Sequence, residues 1–210
     1  MKKAFFTHIM CLCAFVAYGQ TKIGHDASFW MDVPFQKDEK IAPPILWYVL
    51  TSKYVTAEVR WNFETSKSIS LYLGKTFSFS GKESEISITP AVGGILDPDG
   101  YQAWSPQLTL DIESERGINI FSFTQVVFSN SDRWVYQWTE FAFPLSRWIN
   151  LEMGVGWQII VPDEPSTSIG VFLRYTGETK KGGLYIQAWP QYDPLADRGS
   201  FMIGIGFLVE

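Results

Sequence analysis

Two residue types that often build cross-links or catalytic centres are scarce in this chain. Its 210 residues include two cysteines and two histidines. Cys11, Cys13 and His8 all lie near the N-terminus, so a chain without that segment keeps His25 as its single histidine and cannot form a disulfide. We therefore expect the fold to be stabilised by burial, hydrogen bonds or lipid. We expect no cofactor and no metal ion.

Long apolar runs and a surplus of positive charge are also missing. Beyond the N-terminal segment no stretch has about 18 consecutive apolar residues, which argues against a membrane-spanning helix. The 17 basic residues face 22 acidic ones, a formal charge of −5. A net negative charge repels a phosphate backbone, so we expect no nucleic-acid partner.

The first 19 residues have the form of a secretory signal peptide. Lys2 and Lys3 supply the positive start, and residues 4–16 form an apolar stretch too short to span a bilayer. Ala17 and Gly19 place small residues at the positions that signal peptidase reads, which predicts cleavage after Gly19. The residues before the two cysteines do not fit the pattern that lipidation needs.

Apolar residues fall on alternate positions from about residue 53 to residue 209, which is the period of a β-strand. The clearest stretch has one parity that is apolar throughout: Ile149, Leu151, Met153, Val155, Trp157 and Ile159. The other parity is polar or small: Asn150, Glu152, Gly154, Gly156 and Gln158. A strand of this length with two such faces suits a wall between lipid and water.

Turn residues separate ten predicted strands. The strands lie near 53–64, 67–79, 84–95, 102–114, 117–129, 133–143, 147–161, 167–177, 182–192 and 199–209. Asp97-Pro98-Asp99-Gly100 and Asp193-Pro194 are typical separators. An even strand number returns both chain ends to one side of a membrane. The predicted fold class is all-β, a closed antiparallel transmembrane β-barrel of about 10 strands.

Residues 20–44 differ from the rest of the chain. A charge run at 36–40 and the pair Pro43-Pro44 interrupt the alternation. We interpret 20–44 as an N-terminal periplasmic extension and 45–210 as the outer-membrane β-barrel. Residues 45–50 either begin the first strand or lie along the rim.

A soluble secreted barrel of the lipocalin kind, binding a small apolar ligand, is the alternative reading, since its strands alternate too. Its outer face would be polar and its inner face apolar. The signal peptide, the lack of cysteine and the nine tryptophans favour the membrane, because tryptophan and tyrosine concentrate at membrane interfaces.

The polar parity of the strands carries a set of charges that would face the lumen. Its members are Glu58, Arg60, Glu64, Asp111, Glu113, Glu140, Glu152 and Arg174. Acid exceeds base in this set, so these residues could line a narrow cation-preferring pore. They could equally pair across the interior and plug it, since buried charges need partners. An inward Glu140 also turns Tyr136 and Trp138 inward, which predicts an aromatic-rich lumen.

Catalysis has little support. Barrel enzymes that act on lipids or peptides use a histidine base with a serine or carboxylates. His25 lies before the predicted strands. We therefore expect a non-enzymatic protein.

Three short segments resemble a functionally uncharacterised family of small bacterial outer-membrane β-barrels of porin-like type. They are Tyr54–Glu64 (YVTAEVRWNFE), Ile88–Gly94 (ITPAVGG) and Trp134–Glu140 (WVYQWTE). The end of the chain departs from many such barrels, in which the insertion machinery reads a final aromatic residue, because Leu208-Val209-Glu210 follows Phe207.

The resemblance implies a transmembrane barrel in the bacterial outer membrane with a porin-like role and no known ligand. The partners expected are membrane lipid, the outer-membrane insertion machinery, and a small solute or ion.

Overall fold

The structure, a computed structural model, describes residues 23–35, 44–62, 68–130, 133–146, 149–161, 166–179 and 182–209. These residues form antiparallel strands joined by turns. The strands are β1 (Ile23–Pro34), β2 (Ile45–Ser52), β3 (Thr56–Asn62), β4 (Ser68–Gly74), β5 (Phe77–Ser80), β6 (Ser84–Leu96), β7 (Gln102–Ser114), β8 (Asn119–Ser129), β9 (Arg133–Ser146), β10 (Leu151–Val161), β11 (Ser166–Thr179), β12 (Gly182–Asp193) and β13 (Arg198–Val209).

The sheet closes on itself. Strands that are neighbours in the chain pair with each other except β4 and β5, β1 pairs with β13, and β4 pairs with β6. β5 also pairs with β6, so β4 and β5 are two segments of one wall strand, interrupted at Lys75 and Thr76. The barrel therefore has twelve wall strands, an even number that places both ends of the described chain on the same side.

The ten strands predicted from residue 53 onward are confirmed as β3, the β4–β5 pair and β6 to β13. The total of about ten is too low, because β1 and β2 add two more. The prediction that residues 20–44 form an extension outside the barrel is wrong for the described residues among them: Ile23–Pro34 is a wall strand, paired with both β2 and β13. Its alternation is short and was masked by the charge run beyond it.

Two of the predicted segments lie outside the described residues. The signal peptide at 1–19 is one, and the charge run at 36–40, which falls in the connection between β1 and β2, is the other. Residues 45–50, for which two placements were open, belong to a wall strand.

The two faces of the wall are chemically opposite. Outward residues are large and apolar, as on β11, where Ile169, Val171 and Leu173 are all exposed. Inward residues include buried charges and amides such as Glu58 and Gln187. A soluble lipocalin-like barrel requires the reverse arrangement, so that alternative is wrong. The described residues include no helix long and apolar enough to cross a membrane.

The inner face of β8 was ambiguous in the sequence, where Ile120 and Val126 compete with Phe121, Phe123 and Val127. The structure turns the second set inward, since Phe123 and Val127 are fully buried. The pairing with β9 sets this choice, because Phe123 lies opposite Trp138 on the luminal side.

Lys75 is a charge on the outward parity of its strand. Its neighbour Gly74 pairs with Thr56, the first residue of β3, so Lys75 lies just beyond the end of that strand. Its ammonium lies 5.2 Å from the centre of the Phe77 ring. This position at the rim lets the long side chain keep its charge out of the hydrocarbon.

The turn after β6 has the chemistry expected from its sequence. The Asp97 carboxylate accepts a hydrogen bond from the Tyr101 backbone N–H at 2.9 Å. Gly100 has φ of +99°, a left-handed conformation that disfavours residues with a side chain.

A charge in the middle of the outer face tests this facing directly. Val155 points outward near the centre of β10 and is 37% exposed. We expect Val155→Arg to cost about 2–4 kcal/mol of barrel stability, because the guanidinium would face hydrocarbon. Heat-modifiability on an electrophoresis gel, with Val155→Leu as the matched control, measures the loss of folded barrel. A Val155→Arg protein that folds as well as the leucine variant would contradict the facing.

Candidate functional site

Aromatic side chains fill the middle of the lumen. Trp30 on β1 and Trp138 on β9 meet edge to face with ring centroids 4.9 Å apart, although five strand-to-strand steps separate them in the wall. Trp138 also lies 6.0 Å from Trp189 of β12, nearly parallel to it. Trp189, Phe123 and Phe172 have no solvent exposure. Rings from distant strands therefore meet in the interior.

Glycines in neighbouring strands make room for these rings. A Cβ atom on Gly156 would lie 2.7 Å from the Trp189 ring, too close for any real side chain. A Cβ on Gly204 would collide with the Trp30 ring in the same way. Further ring-and-glycine pairs of this kind are Phe172 with Gly154, Tyr72 with Gly93 and Tyr185 with Gly206. Inward glycines therefore make room for the rings in this narrow lumen.

One polar cluster centres on Arg60 of β3. Its guanidinium forms an ion pair with Glu58 at 2.5 Å and donates hydrogen bonds to the amide oxygens of Gln125 at 2.8 Å and Gln107 at 2.9 Å. Gln107 in turn donates to Glu58 at 2.7 Å, and Gln125 donates to the Tyr72 hydroxyl at 2.6 Å. We call these five residues the Arg60 cluster.

Aromatic faces enclose the Arg60 guanidinium. Its central carbon lies 4.2 Å from the centre of the Trp47 ring and 4.3 Å from that of Phe123. Cation–π attraction of this kind is strongest where water is excluded. Arg60 therefore links wall strand β3 to β7 and β8 across the lumen.

A second polar cluster centres on Arg174 of β11. Arg174 contacts Glu152 at 2.8 Å and Glu140 at 3.0 Å, so one cation serves two carboxylates. Gln187 donates to Glu140 at 2.7 Å, and Asn119 donates to Glu152 at 2.8 Å. These five residues, the Arg174 cluster, run along consecutive strands from β8 to β12 rather than across the barrel.

The structure brings five of the eight predicted lumen residues into these two clusters: Glu58, Arg60, Glu140, Glu152 and Arg174. Asp111 and Glu113 share the inward parity of β7 but belong to neither cluster, with Asp111 in electrostatic range of Arg174 and Glu113 exposed near the strand end. Glu64 lies outside the described residues. Whether any of them contacts a passing solute is a proposal taken up below.

Sequence reasoning missed the uncharged members of both clusters. Gln107, Gln125 and Gln187 are all buried and supply the amide groups that complete each network. Their signal was present, because each shares the inward parity of its strand. Parity applied to uncharged polar residues as well as to charged ones would locate them.

Strand β1 adds two acidic groups that the sequence had placed outside the barrel. Asp26 and Asp32 share the inward parity of Trp30. One carboxylate oxygen of each, Oδ1, is buried and has no hydrogen-bond partner among the described residues. They are groups on which a cation or a polar solute could bind.

His25 lies on the outside of the barrel. It belongs to β1, on the parity opposite to Asp26, and its Nδ1 lies 2.6 Å from the Tyr48 hydroxyl on β2. The expectation that it precedes the barrel is therefore wrong, although it remains remote from the luminal clusters. No group of three His, Cys, Asp or Glu side chains in the described part of the chain is arranged to hold a metal ion.

No protein-family model matches the sequence, and no curated protein matches it. Solved structures do match. The KdgM porin in complex with disordered oligogalacturonate has a TM-score of 0.57 at 10% identity, covering 89% of this chain and 98% of that one. OccK5 (OpdH) of Pseudomonas aeruginosa has a TM-score of 0.50 at 9% identity, covering 91% of this chain and 68% of that one. At such identities the likeness shows the fold alone.

The fold is that of bacterial outer-membrane porins. A closed sheet with an apolar outer face and a charged inner face is a transmembrane barrel on physical grounds. The porin-like barrel implied by the sequence resemblance is thereby confirmed, and with it a location in the bacterial outer membrane in contact with lipid.

Arg174 is a luminal cation whose loss should destabilise the barrel. Arg174→Ala leaves Glu140 buried without its cation, which we expect to cost about 3–5 kcal/mol of stability. Replacing Glu140 by Gln in the same protein should restore part of this, because a neutral amide at position 140 leaves no uncompensated buried charge and its oxygen can still accept the hydrogen bond from Gln187. Thermal unfolding in detergent measures both. Equal melting of Arg174→Ala and wild type would show that the cluster contributes nothing.

Proposed function

We propose that this protein is a non-enzymatic, narrow porin-type channel for small cations and small uncharged solutes, closed at rest by its aromatic residues. The observation that carries the proposal is the combination of a porin fold with an acid-rich lumen that the rings close without a covalent or loop-formed plug among the described residues. Lipid surrounds the barrel, and the outer-membrane insertion machinery is the expected route of assembly.

The charge balance of the inner face supports selection for cations. The inward charges described above are two basic residues, Arg60 and Arg174, and seven acidic ones: Asp26, Asp32, Glu58, Asp111, Glu113, Glu140 and Glu152. Both arginines are bound to carboxylates. The remaining acidic groups create a negative field in a low-dielectric tube, which attracts cations and repels anions.

The excess of acidic over basic inward residues also bears on which class of ligand this lumen would accept. The KdgM porin is described in complex with disordered oligogalacturonate, a chain of sugar carboxylates. An acid-rich lumen repels such a polyanion. We therefore expect the solute of this protein to be of a different charge class.

Passage requires the aromatic rings to move. Trp138 contacts rings from four other strands, those of Trp30, Trp47, Phe121 and Trp189. Rotation of its side chain would therefore break ring contacts that join distant strands across the lumen. The polar clusters lie beside the rings and would line the path that opens.

A structural barrel with a permanently filled lumen is the second candidate. It is favoured by the full burial of Trp189, Phe123 and Phe172, and by the ion pairing of both luminal arginines. Conductance separates the two functions.

We expect the wild-type protein in a planar bilayer to show small, cation-selective openings. Trp138→Ala should raise the conductance several-fold, since it removes the central ring. The matched control is Trp104→Ala, which removes an exposed outward tryptophan that stacks on Phe128. If neither the wild type nor Trp138→Ala conducts above the control, the protein is a structural barrel.

Selectivity has its own test. Asp26→Asn with Asp32→Asn removes two luminal charges that take no part in either cluster, so the reversal potential in a salt gradient should move toward zero. Asp99→Asn, an acid in the turn after β6, is the control. An unchanged reversal potential would show that these groups do not face the ion path.

A further inference from the structure

One part of the outer face departs from the rest. Polar outward residues such as His25 and Lys75 lie near the rims of the barrel. Away from the rims, the outward residues of the described strands are apolar or glycine on every strand but two, the paired strands β8 and β9. Four polar side chains meet there near the middle of both strands: Ser122, Thr124, Gln137 and Thr139. We call them the outer polar patch.

Their facing follows from the ladder. Phe123 and Trp138 are paired and point into the lumen, so the neighbouring pairs, Ser122 with Thr139 and Thr124 with Gln137, point outward. Apolar outward residues border the patch on both sides. Leu108 and Leu110 adjoin it on β7, and Trp157 and Ile159 adjoin it on β10.

The hydrogen bonds described for the patch satisfy it only in part. The hydroxyls of Ser122 and Thr139 are 3.1 Å apart. The Gln137 amide donates to the Thr139 hydroxyl at 3.5 Å, the long limit for such a bond. An amide has two N–H donors and a carbonyl acceptor, so Gln137 has further capacity that hydrocarbon cannot fill.

The patch lies near the middle of its strands, which limits the kinds of molecule that could bind to it. Lipid headgroups lie at the rims, and acyl chains carry no hydrogen-bonding group. A protein surface at the same depth can supply donors and acceptors together. Hydroxyl and amide side chains both donate and accept, so the patch is complementary to itself, and it carries no charge that would repel a copy.

We propose that the outer polar patch is the contact surface between two copies of this chain. The copies share one orientation in the membrane, so a two-fold axis along the membrane normal sets identical residues at identical depth opposite each other. Gln137 of one copy then meets Gln137 of the other, and the leucines and isoleucine around the patch pack as the rim of the contact. Polar side chains between membrane segments stabilise association in this manner.

Thiol cross-linking in intact outer membranes tests the contact without extracting the protein. Gln137→Cys places a thiol beside the axis. Val171→Cys places one on the outer face of β11, away from the patch. The wild-type chain serves as the blank for Cys11 and Cys13. With a short bifunctional thiol reagent, we expect at least tenfold more cross-linked dimer from the Gln137 variant than from the Val171 variant.

A second measurement separates a lost contact from a lost fold. The variant Ser122→Ala, Thr124→Val, Gln137→Leu and Thr139→Val removes the polar groups together and leaves a lipid-compatible surface. It should keep its heat-modifiability and sediment in detergent as a monomer where the wild type sediments as a dimer. Val171→Ala is the control that should leave the dimer intact.

Equal cross-linking from both cysteine variants would overturn the proposal, whatever the sedimentation shows. So would a wild-type monomer carrying a tightly bound lipid that the fourfold variant loses, because the patch would then be a lipid site. Neither result bears on the channel function, which rests on the lumen.

Discussion

Every backbone N–H and C=O group inside a bilayer needs a partner from the same protein, because hydrocarbon supplies none. The wall of this barrel meets that requirement through its ladders, and the ladder between β1 and β13 completes it. Without that pairing both strands would present open edges to lipid. The contrast between the two faces, the enclosed polar clusters and the packed rings all depend on the closed sheet.

Closure creates a second problem, which is how to fill a tube that encloses charge. The protein combines two solutions. Each arginine is bound to carboxylates and amides, so that little of its charge is left uncompensated. The remaining space is filled by aromatic rings set over glycines. Arg60 joins the two, because it is bonded to polar groups at its edge and covered by rings on its faces.

Alternation was enough to predict the fold class, the strands from residue 53 onward and the inward placement of the charged residues that the structure describes there. The facing of Glu152 and Arg174, which pair across β10 and β11, follows from parity alone. β1 was missed since its few alternating residues lie beside a charge run, and a strand is recognised by pairing with a partner distant in sequence. The hydrogen bond from Arg60 to Gln125 connects strands that are far apart in the chain. It depends on the curvature of the barrel, which no local sequence pattern predicts.

The glycines under the rings have a consequence for the shape of any opened state. A ring seated over Gly154, Gly156 or Gly170 occupies the volume that a side chain of that strand would otherwise fill. When such a ring swings away, it leaves behind bare backbone, and the three seats lie on the adjoining strands β10 and β11. In the opened state proposed above, the vacated seats would form one shallow groove along the wall. Its floor would be peptide already hydrogen-bonded within the sheet, so a passing solute would meet few groups that could bind it.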